Sequence, residues 1–279
     1  MNNSVFKVLL VLIGLTLALS LLSASGAQRK PRAQTFPSQE VEGPCPAGEE
    51  VDAAAALEKL KAGNLRWQSK MAEKNWSEVR EETARCGQHP FAVVLACMDS
   101  RVPSELIFDR GLGEIFVIRV AGPVLNRDEL ASLEYALVKK HVKLVLVLGH
   151  TDCGAVRGAV DRVSGSYLPE LFRKIEPAIT YVSDKFNGGI RITSKEQKNL
   201  DRVSFVNAKF VRSEIFSQRV LRQPGVQVKW GLYYLGSGQV AFDPTDVQHS
   251  REVGAARESD GNQLQSVVPQ AGAIDRKVE

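Results

Sequence analysis

Net charge is in short supply: 36 Lys and Arg stand against 32 Asp and Glu, leaving +4 over 279 residues. The basic residues are scattered and form no stripe, which argues against nucleic acid as a partner. No internal repeat is found, which removes solenoid and propeller architectures. No apolar run reaches the ~20 residues that a spanning helix needs. Cysteine is limited to four residues, Cys45, Cys86, Cys97 and Cys153, and their positions organise the reading that follows.

The composition that remains is that of a globular protein, 44% hydrophobic and 24% charged, with length for one large domain or two small ones. Lys7, the apolar run Val8 to Leu22 and the small residues Ser25 and Ala27 have the layout of a secretory signal cut after Ala27. An uncleaved anchor is the alternative. No Cys follows the run, which argues against a bacterial lipid anchor. The expectation is export, to a periplasm first, with a thylakoid lumen or an outer face also fitting, and no membrane span in the mature protein. Residues 28–50 are rich in Pro, Gly and polar residues and read as a linker. Residues 51–245 carry the periodic segments of a domain, and 246–279 read as a polar, disordered tail. Cys45 and Cys86 lie in polar segments, where they either pair as a disulfide or stay free.

Three short continuous apolar runs, Phe91 to Ala96, Glu114 to Val120 and Lys143 to Leu148, read as buried strands. Helical patterns separate them: Asp52 caps one over 52–68, and a short one lies near Leu106 to Phe108. Asn126 to His141 shows Leu130, Leu133 and Leu137 on one face, with Asn126 and Glu129 spaced as a capping box. Further helices are expected over Gly154 to Val163 and about Asn199 to Gln218. Val226 to Leu235 and Gln239 to Phe242 read as a C-terminal β-hairpin turned at Gly236 to Gly238. The class is α/β, with a mostly parallel central sheet flanked by helices.

In such sheets ligands bind beyond the carboxyl ends of the strands. Cys97 ends the first run, His150 ends the third, and Cys153 follows His150 in HTDC. Two thiolates and one imidazole suit zinc, and three protein ligands leave a fourth position open for chemistry. A thiol nucleophile, Cys97 with His150 as base, is the rival; it leaves Cys153 without a role. Asp99 and Arg101 follow Cys97 in CMDSR. An Arg fork keeps such a carboxylate ionised and fixed; a structural salt bridge closing the turn is the plainer reading. Gly149 and Gly154 mark a tight turn or close backbone approach. Gly154 also opens a helix whose free N–H groups favour an anion. His89 and His141 read as surface residues.

CMDSR, HTDCGAV, the intervening RVPSELIFDRGLGEIFVIRVAG and SLEYALVKKHVKLVLVLGH, the upstream ALEKLKAGNLRW and the downstream GLYYLGSGQVAFD together resemble a β-class carbonic anhydrase, over roughly Ala54 to Asp243. The resemblance implies one Zn2+ per chain on Cys97, His150 and Cys153, and an Asp99–Arg101 dyad. It implies reversible hydration of carbon dioxide to bicarbonate and a proton, by zinc-activated hydroxide that Asp99 orients. It also implies a homodimer or an assembly of dimers; some members of that family close the site by letting the counterpart of Asp99 become a fourth ligand, and an open or a closed site both fit this sequence. Relatives of this fold hydrolyse carbonyl sulfide or carbon disulfide, and a non-catalytic zinc staple is a third reading. Two positions depart from the family pattern: Pro123, where Asn is frequent, and Met98, where Ser is common.

Overall fold

A computed structural model describes residue 45 and residues 48–71 and 76–243. The signal-like segment 1–27, nearly all of the linker and the whole of 246–279 lie outside the described residues.

Strands β1 (Ala92–Cys97), β2 (Ile115–Val120), β3 (Leu144–His150) and β4 (Gln227–Tyr233) run parallel. β5 (Val240–Phe242) returns antiparallel to β4, in the expected hairpin. The order across the sheet is β2-β1-β3-β4-β5. β1 and β3 are central, and every residue of both is buried. That is why they read as unbroken apolar runs rather than alternating ones.

Side chains still alternate between the two faces. Val94, Ala96, Leu146 and Leu148 pack with helix α1 (Ala53–Gln68) and helix α3 (Ser104–Ile107). Val93, Leu95, Val145 and Val147 pack on the opposite side with Leu133, Leu137, Val211 and Ile215. Asp52 caps α1 by accepting the Ala55 N–H at 2.8 Å. Inside α1, buried Asn64 donates to the carbonyls of Ile107 and Gly238 and accepts the Val240 N–H. One side chain thus joins the first helix to the final hairpin.

The clearest sequence helix divides in two. Helix α4 (Arg127–Glu134) begins with the Asn126 N–H on the Glu129 carboxylate at 2.8 Å, one arm of a capping box. Its continuation over Tyr135–Lys139 widens to i→i+5 hydrogen bonding, with the Lys140 N–H on the Tyr135 carbonyl. This wider turn carries Ala136 and Leu137 into the core. His141 follows at φ 57° and is exposed.

Two helices lie where the sequence suggests no element. Helix α2 (Trp76–Cys86) ends at Cys86, which the structure joins to Cys45 in a disulfide with Cα atoms 5.3 Å apart. After helix α5 (Gly154–Asp161) comes helix α6 (Leu168–Phe186), which has Pro177 in its interior. α6 packs against helix α7 (Gln197–Ser217) through Tyr181 and Phe210, whose rings meet edge-on at 5.6 Å. Helices α5, α6 and α7 form a third apolar cluster that also contains Cys97 and Cys153. No helix among the described residues is long and apolar enough to cross a membrane.

Candidate metal centre

β1 and β3 are paired neighbours, with Ala96 opposite Leu148, so their carboxyl ends deliver Cys97 and His150 to one place. Gly149 lets α7 close over that end: a Cβ there would stand 2.7 Å from the Ser204 carbonyl oxygen. Beyond His150 the chain turns at Asp152, at φ 55°. This left-handed residue reverses the backbone within one turn and brings Cys153 back beside its partners.

Cys97, His150 and Cys153 are all buried, with their ligating atoms within 4.8 Å of one another. The two sulfurs are 4.0 Å apart. They form the cluster of metal-ligating side chains found among the described residues. The His150 Nδ1 lies 2.9 Å from the Thr151 carbonyl oxygen, so Nδ1 carries the proton. Its Nε2 lone pair then faces the sulfurs. Nε2 is fully buried without a hydrogen-bond partner, a costly arrangement unless another group accepts that lone pair. A divalent ion with a preference for nitrogen and sulfur answers that need, and the donor set fits zinc.

The thiols show the same readiness. Cys97 is drawn down to about 4, first by the Cys153 hydrogen bond, with the His150 side chain and the Gly122 N–H adding to it against burial. The Gly122 N–H donates to the Cys97 sulfur at 3.3 Å. Cys153 is pushed up by the same contact with Cys97 and by burial. The pair on its own therefore shares one proton, and a metal that binds both sulfurs displaces it.

Asp99 stands at the rim, its Oδ2 4.0 Å from the His150 Nε2. Arg101 grips it with a fork: Nε donates to Oδ1 at 2.9 Å and Nη2 to Oδ2 at 2.8 Å. The Arg101 backbone N–H adds a third bond to Oδ1 at 2.9 Å. These bonds hold the Asp99 carboxyl down at about 2 and raise the guanidinium above its ordinary value. The dyad is therefore charged throughout the physiological range, with half-exposed Arg101 on the solvent side.

The residues expected from sequence at the site, Cys97, Asp99, Arg101, His150 and Cys153, come together in this one constellation. His89 and His141 are exposed. Pro123 is buried beside the Gly122 donor, and its carbonyl accepts from the buried Asn207 at 2.8 Å. Proline has no N–H, so the buried backbone nitrogen at this position needs no acceptor. Met98 is 62% exposed, whereas the three ligand residues are buried. Three contributors carry no strong sequence signal. Arg119 lies on β2 and donates to the Cys97 carbonyl at 3.1 Å and the Asp99 carbonyl at 2.5 Å. The others are Asp152 and Arg157, which lie behind Arg101.

Comparison with known proteins agrees with this geometry. Residues 92–240, just over half of the chain, match the family model described as carbonic anhydrase. The chain belongs to the carbonic anhydrase family. A curated relative, carbonic anhydrase 2 of Mycobacterium tuberculosis, is 34% identical over 172 residues, covering 60% of this chain and 81% of that protein. The carbonic anhydrase of Mycolicibacterium smegmatis is 37% identical over 131 residues, covering 45% of this chain and 64% of that one. Among solved structures, a β-carbonic anhydrase of Aspergillus fumigatus aligns with TM-score 0.53 and 25% identity, over 71% of this chain and 95% of its own. One described as tetrameric, from Sordaria macrospora, aligns with TM-score 0.54 and 22% identity, over 66% of this chain and 94% of that one. The fold is that of the β class.

Proposed function

We propose that this carbonic anhydrase is a zinc enzyme that hydrates carbon dioxide reversibly to bicarbonate and a proton, with Cys97, His150 and Cys153 holding one zinc ion per chain. The observation that carries the reading is the buried His150 Nε2, unpartnered and facing two thiols, with a locked carboxylate 4.0 Å away. A zinc ion bound there supplies the chemistry that makes water acidic enough to serve as a nucleophile near neutral pH.

The chain's own residues supply the rest. Asp99 is ionised and can only accept hydrogen bonds, so it orients a hydroxyl whose proton points toward it. Arg101 holds both Asp99 oxygens and keeps the carboxylate from taking that proton. The Gly122 N–H stabilises negative charge on the Cys97 sulfur. Val120 and Val124 pack in the same apolar cluster as both cysteines, offering a small uncharged gas a surface without strong binding. Arg101, half exposed, gives bicarbonate a cationic exit toward solvent.

Stopped-flow hydration measured beside a sulfide-release assay on carbonyl sulfide tests the substrate. Hydration without sulfide release is expected, and sulfide release alone would reverse the assignment. Cys97→Ser should lose most of its zinc and its hydration activity; full activity in that variant sinks the catalytic-metal reading.

The same reading includes self-association and export. β2 is an edge strand with one side unpaired among the described residues. Phe116, Ile118 and half-exposed Tyr135 line a groove of about 410 Å3 along it. An apolar edge of this kind calls for cover, and a second copy of the chain supplies it. Export to an oxidising compartment, a periplasm first, is supported by the Cys45–Cys86 disulfide and by the signal-like composition of residues 1–27. N-terminal sequencing of the secreted protein checks the cut after Ala27.

A further inference from the structure

We infer that Asp152 is a positioning residue that holds Arg101, and through it Asp99, at the edge of the metal site; the inference rests on the function proposed above. Asp152 lies between two of the proposed ligands, yet its side chain turns away from them. Its Oδ2 accepts from the Arg101 Nη1 at 3.2 Å, and its backbone carbonyl accepts from the Arg101 Nη2 at 3.2 Å. Arg101 is therefore gripped from two sides, by the Asp99 carboxylate and by two atoms of Asp152.

Asp152 is itself held. Its Oδ1 accepts from the Arg157 Nη2 at 2.9 Å, and its N–H donates to the Asp201 Oδ1 at 2.9 Å. Arg157 is fixed in turn by the Ser194 carbonyl at 2.8 Å and the Gln197 Oε1 at 2.7 Å. Alternating charges thus run from Asp99 through Arg101 and Asp152 to Arg157, which is anchored at the start of α7. The backbone at Asp152 is left-handed. Asp tolerates this conformation better than most residues but still at a cost, and strain retained beside a site signals a use for it.

That use follows from the position of Asp99. Its Oδ2 is 4.0 Å from the His150 Nε2, so a small rotation brings it among the ligand atoms. The two guanidinium bonds to Asp99 oppose that rotation only as long as the Arg101 side chain stays in place, while the backbone N–H bond to Oδ1 is independent of it. Arg101 is half exposed, and a long exposed side chain gripped at one end would travel with its partner. Asp152 supplies the second anchor that makes the fork stationary. Asp152→Asn keeps the size and the turn preference but removes the charge that attracts both arginines. Arg157→Gln leaves Asp152 intact and loosens it from behind.

The test uses the zinc-loaded full chain as wild type, Asp152→Asn and Arg157→Gln. Zinc content, kcat and KM for carbon dioxide hydration, and crystal structures of the loaded proteins are compared. The expected result is about one zinc per chain in all three, with KM little changed. In Asp152→Asn kcat falls about fivefold, the scale of a strong exposed ion pair, with a smaller fall in Arg157→Gln. The crystals should show Asp99 in alternate positions, with its fork to Arg101 partly broken. An Asp152→Asn protein with wild-type kcat per bound zinc and an intact fork overturns the inference, as does one whose only defect is lower zinc content or thermal stability. If Asp152→Asn fails to fold, Arg157→Gln decides by the same two readouts. A loaded wild type without hydration activity instead refutes the proposed function, and the crystals still report whether Asp152 fixes the fork.

Discussion

At Gly149 a Cβ would meet the Ser204 backbone oxygen at 2.7 Å, a contact with no flexible side chain to yield. The α7 helix sits directly against the strand end that presents His150. Gly149→Ala should force the two apart, at a cost of about 1–3 kcal/mol by overpacking, and calorimetry together with zinc content measures it. The Asp99 carboxyl offers a second prediction. Held down to about 2 chiefly by Arg101, it contributes stability that is complete above its unfolded value near 3.8. That contribution is lost as pH falls through about 2. Arg101→Gln should return its titration toward the ordinary carboxylate range, and carbon-13 NMR of the Asp99 carboxyl in the metal-free protein follows it. A midpoint that stays near the original one would show that Arg101 is not the cause.

Asn64 ties three elements together, and Asn64→Ala leaves the Val240 N–H and two carbonyls without this partner. The expected loss is about 2–3 kcal/mol for stranded buried groups, read as a lower midpoint in urea. The Cys45–Cys86 bridge joins two residues 41 positions apart in sequence. Its reduction should cost at most about 4 kcal/mol on the chain-entropy account, with the metal centre unaffected. At this scale the sequence was legible where burial was symmetric. β1 and β3 are buried on both faces, so their apolar runs were unmistakable, and the ligands at their ends came with them. Helix α6 was no less regular: Phe172, Ile175, Ile179, Val182 and Phe186 recur at helical spacing, but Pro177 falls inside the pattern, where a proline ordinarily breaks a helix. Helix α2 has little apolar face to betray it, since its sequence is mostly charged and polar. Asp152 and Arg157 were hidden for another reason. Their part depends on tertiary bonds between β1, the ligand loop and α7, and no local spacing encodes these.

For the whole molecule, we propose that a second copy of the chain covers the β2 edge and the groove beside it. Light scattering after gel filtration should give twice the 30.6 kDa chain mass or an even multiple, less any cleaved signal. A Phe116→Glu, Tyr135→Glu double variant should shift that mass toward the monomer; unchanged mass would place the interface elsewhere. We propose that Cys97, His150 and Cys153 carry a zinc ion on which hydration of carbon dioxide depends. The most direct test is stopped-flow hydration on one preparation before chelation, after zinc removal and after zinc is restored, with bound zinc counted at each stage. Activity should fall with the zinc, return with it, and saturate at one ion per chain. Full activity in the zinc-free protein, or a fully loaded protein that does not hydrate carbon dioxide, would contradict it.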